Sequence, residues 1–127
     1  METFLLELEK LYQQARELLE ARPDAEQVIV ALTAGKKLYC IANRAVTSGN
    51  TEDEDAFVKT LRESGDTRLL SMACVWRTGL ALDVPSMGLR KVLLELDPAN
   101  RETELLLQAG DGYHVRTMEM TMPVKKA

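Results

Sequence analysis

Residues 83–112 read DVPSMGLRKVLLELDPANRETELLLQAGDG, and their order decides the fold. Asp83-Val84 is loop, and Pro85 precedes a short helix whose apolar residues Met87, Val92, Leu93 and Leu96 face inward. Asp97-Pro98-Ala99-Asn100 closes that helix, because proline cannot continue it and disfavours a helical residue before it. TELLLQ is then a strand, and Asp111-Gly112 a tight turn. A strand before this stretch would make it a strand–helix–strand crossover of one sheet, and a strand after it would return by the tight turn.

Working outward, both strands are present. TRLLSMACVW, residues 67–76, is apolar and β-prone, and Trp76 closes it as a core lid or an interface anchor. YHVRTMEMTM, residues 113–122, alternates loosely, with His114, Arg116, Met118, Met120 and Met122 on one side. Upstream, QVIVALTAGKKLYCIAN reads as a hairpin: Val28 to Leu32, a turn at Ala34-Gly35-Lys36-Lys37 with glycine taking positive φ, and a return from Leu38 to Ala42. Both runs are almost wholly apolar, so both sheet faces are expected to be covered.

Three helices do the covering. Over residues 2–21, Phe4, Leu5, Leu8, Leu11, Tyr12, Ala15, Leu18 and Leu19 recur in steps of three and four, and Pro23 ends the helix. Ser48 to Thr51 is loop and cap, followed by a helix with Ala56, Phe57, Thr60 and Leu61 as its stripe and Gly65 as its stop. The third is the helix after Pro85. The order α-β-β-α-β-α-β-β gives an α/β class chain, a three-layer α/β/α sandwich with a mixed five-stranded sheet, in one domain over 1–127.

Composition agrees and removes several function classes. A chain of 127 residues, 46% hydrophobic and 28% charged, has the makeup of one globular domain. Such a chain buries roughly two thirds of its unfolded surface. The net charge of −4 and the scattered basic residues argue against nucleic-acid binding. The Lys125-Lys126 tail serves solubility. There is no apolar run long enough for a membrane span, and METFLLELEKLYQQ is too acidic for a secretory signal. Cys40 and Cys74 lie in apolar runs and read as buried free thiols of a cytoplasmic protein, with one disulfide in a secreted domain as the alternative.

Residues 22–123 resemble the small free-nucleoside cytidine deaminases. In that family a Pro-Cys-Gly-x-Cys-Arg-Gln motif opens a helix, followed by Val-Leu, an acid-proline turn, a strand, a Gly-containing turn and a last strand. Pro85, Arg90, Val92, Leu93, Pro98 and Gly112 fit this order. CIANRAV is similar to the family's Cys-Asn-Val-Glu-Asn-Ala pocket segment, and EDEDAFVKTLRESG matches in length the helix opening with Cys-Ala-Glu or His-Ala-Glu.

The resemblance implies a zinc ion with three protein ligands and a proton-shuttling glutamate. Its ligand positions fall here on Glu52, Ser86 and Leu89, and only the glutamate is matched, by Glu54. The family's pocket asparagine and glutamate fall on Ile41 and Asn43, and its aromatic residue falls near Glu26 or Gln27. Leucine has no lone pair, and a catalytic zinc needs three donors. The expectation is therefore a chain without metal or other cofactor that does not deaminate, acts as a binding or assembly module, and forms a homo-dimer or homo-tetramer.

The alternative is a nucleoside- or nucleotide-binding protein, or a zinc-independent enzyme rebuilt around Glu54. The candidate pocket is Ile41, Asn43, Glu52, Glu54, Ser86 and Arg90. Local chemistry also explains three of these residues without any ligand. Thr51 and Glu54 have the spacing of a capping box, Glu52 lies in an acidic first turn, and Ser86 is a natural N-cap. His114 is the only histidine and has no placed partner for nucleophilic catalysis, so it reads as a surface or half-buried side chain.

Overall fold

A computed structural model describes residues 2–44, 51–110 and 112–122, with side chains from residue 8 onward. Its elements run α1 (Glu2–Ala21), β1 (Gln27–Thr33), β2 (Leu38–Asn43), α2 (Glu52–Ser64), β3 (Leu69–Trp76), β4 (Leu82–Asp83), α3 (Met87–Leu96), β5 (Glu104–Ala109) and β6 (Gly112–Thr117). The strands lie in the order β2-β1-β3-β5-β6. Among the described strands the one parallel pairing is between β3 and β5, and the α3 crossover joins them. The two-residue β4, expected to be loop, pairs with the end of β3 through Cys74↔Asp83 and Val75↔Leu82 and makes a sixth strand.

The unbroken apolar run of β1 has the cause inferred from it, whereas β2 is not covered on both faces, since Leu38 and Cys40 are exposed on an outer strand. In β1, Ile29 and Ala31 face a core shared with Phe57, Leu61, Leu89 and Leu93 of α2 and α3. Val28 and Val30 face the opposite core, with Leu8, Leu11, Ala15 and Leu19 of α1. A strand buried on both faces has no polar side to show. One charged group crosses between layers. Arg77, just past β3, donates to the carbonyls of Leu19, Arg22 and Ala25 at 2.7 Å each, and so ties the end of α1 to the sheet. These are carbonyls at and just past the helix end that the helix itself leaves unpaired.

Several sequence expectations need correction. The last strand stops at Thr117, where a 3-10 turn over Glu119–Thr121 takes over. The methionines therefore share no strand face: Met118 is fully buried, Met122 half-buried, and Met120 64% exposed. The buried stripe of α2 is Glu54, Phe57, Val58 and Leu61, with Ala56 and Thr60 exposed. In α3 the buried residues are Leu89, Arg90 and Leu93, with Met87, Val92 and Leu96 half-buried. The third strand starts at Leu69, two residues late.

In the hairpin the positive φ of +66° belongs to Lys36, not Gly35. Gly35 is required for another reason. A Cβ there would sit 2.7 Å from Asp66 Oδ2, and the Asp66 carboxylate accepts from Gly35 N–H and from the Thr33 hydroxyl.

Cys40 is also corrected. It is exposed on the outer strand, while Cys74 is buried in β3. They pair across to Val30 and Ile29, so they point to opposite sides of the sheet. His114 and Trp76 are half-buried. Residues 48–50, Asp111 and the Lys125-Lys126 tail lie outside the described residues. Among the described residues no helix is long and apolar enough to cross a membrane.

Candidate functional site

The N-termini of α2 and α3 lie on the same side of the sheet, both packing on the core built around Ile41 and Leu89. Each helix begins as its sequence dictates. Thr51 caps α2: its hydroxyl accepts from Glu54 N–H at 3.0 Å, and the Glu54 carboxylate accepts from Thr51 N–H at 3.1 Å. This reciprocal box satisfies two donors that a helix start otherwise leaves unpaired. Ser86 caps α3, its hydroxyl accepting from Leu89 N–H at 3.2 Å.

Glu54 does more than cap. It is fully buried, and its second oxygen accepts from Asn43 Nδ2 at 3.0 Å. The same amide donates to Gln27 Oε1 at 3.0 Å, while Asn43 Oδ1 accepts from the Thr51 hydroxyl at 2.7 Å. Gln27, Asn43, Thr51 and Glu54 thus close a polar network linking β1, β2 and the start of α2, with Gln27 and Asn43 buried as completely as Glu54. Every member has a partner, as burial demands.

On the α3 side, Arg90 is 7% exposed and donates to Pro85 O at 2.9 Å and Thr121 O at 2.7 Å. It holds the chain after β6 against the start of α3. Burial lowers its pKa, partly offset by the carboxylate of Asp83. The thiol of Cys74 is held well above the usual thiol range, first by burial and then by the negative charges of Asp83 and Glu54. Cys74 is therefore a protonated core residue rather than a nucleophile.

Of the six pocket candidates, Asn43 and Glu54 are hydrogen-bonded to each other, and Ile41 is buried in the core with Leu89. Ser86 caps α3 and Arg90 lies one turn beyond it, turned onto backbone carbonyls. Glu52 is exposed and has left the group. The network member missed in the sequence is Gln27. Its signal was available, since it is the polar first residue of a two-sided strand whose run from Val28 to Leu32 is wholly apolar.

The three side chains that the resemblance sets at the ligand positions do not fit a zinc ion. Leu89 offers no lone pair and is fully buried, the Ser86 hydroxyl serves its helix cap, and Glu52 faces solvent. Among the described residues no group of three or more His, Cys, Asp or Glu side chains gathers as a metal requires.

A sheet of this order and helices so placed are the architecture of cytidine deaminases, and the chain has that fold. The cytidine deaminase of Mycobacterium leprae superposes over 91% of this chain and 97% of its own, with a TM-score of 0.62 at 19% identity. That of Burkholderia pseudomallei covers 91% and 95%, with a TM-score of 0.62 at 18% identity. That of Mycobacterium tuberculosis covers 91% and 93%, with a TM-score of 0.59 at 23% identity. No protein-family model matches the chain, and no curated protein does.

Proposed function

We propose that this chain is a non-catalytic protein with the cytidine deaminase fold, one that has lost the zinc site and acts as a binding or self-assembly module. The observation that carries the reading is the state of the groups at the two helix starts. Hydrolytic deamination needs a metal-activated water and a glutamate free to shuttle its proton. Here Leu89 is packed into the core, and both oxygens of Glu54 are engaged with Thr51 and Asn43. The carboxylate is a structural tie between helix and sheet. The free thiols of Cys40 and Cys74 suit a reducing compartment such as the cytoplasm.

The test is incubation with cytidine and deoxycytidine in the presence of added zinc. No uridine or deoxyuridine is expected above a protein-free control. Turnover that needs zinc and disappears in Glu54→Gln would overturn the reading and return Glu54 to the role of general acid and base.

A further inference from the structure

β2 is an outermost strand of the sheet, and its composition is unusual for that place. LYCIAN carries no charge and no proline, and it pairs with β1 in unbroken register from Leu38 to Asn43. Proteins normally blunt such an edge with charges, proline or a bulge, because its unpaired N–H and C=O groups will accept another strand. The opposite outer strand, GYHVRT, is blunted by Arg116 and carries His114. On β2, by contrast, Leu38 is 45% exposed and the Cys40 thiol is exposed beside it.

The backbone pattern shows which groups have no partner among the described residues. Thr33 N–H bonds the Lys37 carbonyl at 2.9 Å, so positions 37, 39, 41 and 43 face β1. The N–H and C=O groups of Leu38, Cys40 and Ala42 then face outward. The helices also stand back from this edge. A groove of about 360 Å³ lies at the Leu38 end beside Lys10 and Lys36, and one of about 370 Å³ lies at the other end between Arg22, Asp53 and Ala56.

Charge is segregated along the same edge. The Leu38 end carries Lys10, Lys36 and Lys37 against Asp66. The Asn43 end carries Asp24, Glu52, Asp53 and Asp55 against Arg22 and Arg44, both of which pair with Asp24. One end therefore has an excess of cations and the other an excess of anions.

We propose that β2 pairs antiparallel with β2 of a second copy of this chain, about a twofold axis at Cys40. That pairing sets Leu38 opposite Ala42, Tyr39 opposite Ile41 and Cys40 opposite Cys40 of the second copy. It also lays each basic end against an acidic end, twice over, as a self-complementary interface requires. Parallel pairing would set like charge on like. The interface gives the proposed self-assembly its surface and rests on that part of the functional reading.

The test is mass measurement in solution, by sedimentation or light scattering, on the full chain and two variants. The wild type is expected to be a dimer that weakens at high salt, and mild oxidation is expected to trap it through Cys40. Ala42→Pro removes an N–H that β1 does not use, so it should give a monomer with unchanged circular dichroism. Cys40→Lys places a charge on the edge and should do the same if the proline variant fails to fold. A dimer that survives in a folded variant overturns this surface and leaves self-assembly standing. A wild-type monomer overturns both.

Discussion

Glu54→Gln is expected to lower stability by about 1–3 kcal/mol at neutral pH, seen as a lower urea midpoint with an unchanged slope. The reason is donor arithmetic. Both carboxylate oxygens accept, one from Thr51 N–H and one from Asn43 Nδ2. A glutamine offers one acceptor and one NH₂ group, so one of those two donors must face another donor beside a fully buried side chain. Thr51 and Asn43 are themselves bound to each other and to Gln27, so the strain has no free rotor to absorb it. A glutamate kept free for proton transfer would instead lose turnover on this substitution and little stability. An unchanged midpoint would show that Glu54 is a solvated, available carboxylate.

The second large effect is at Leu89. Its replacement by alanine should cost about 2–5 kcal/mol, the range for emptying a buried leucine site that cannot collapse. Leu89 is fully buried and shares its core with Ile41, Phe57 and Leu93, so α2, α3 and β2 all lose contact at once. A loss below about 1 kcal/mol, the size of an ordinary surface change, would mean that the ground between the two helix starts is an open, wet cleft. Equilibrium unfolding by urea followed by the fluorescence of Trp76 gives the number directly.

Much of the fold was legible because it is written locally. The stripe of α1, the Thr51–Glu54 box, the Ser86 cap and the left-handed Gly65 at +77° are features of a few consecutive residues. The hairpin and the two-sided strands were legible from period and β-branching. What escaped depends on neighbours distant in sequence. Met118 turns inward because its N–H bonds the Thr103 carbonyl and a 3-10 turn follows, which no alternation count can reveal. Cys40 sits in an apolar run but on an outer strand, and strand order is not encoded in the run. The stripe of α2 is rotated because Glu54, a polar residue, takes an inward place that its bonds from Asn43 and Thr51 make tolerable.

The site was legible in a different sense. The resemblance named Glu52, Ser86 and Leu89 as the positions to inspect, and cap chemistry already offered ordinary roles for Ser86 and Glu54. Gln27, Cys74 and Asp83 belong to the same neighbourhood, and each reaches it through strand register rather than sequence distance.

The measurement that bears most directly on the central claim is zinc per chain, by elemental mass spectrometry, on protein purified without chelator and without an affinity metal. The expected result is near zero, since Leu89 and a capping Ser86 leave no set of three donors. A value near one zinc per chain would contradict the account and place a metal centre among groups read here as caps and core.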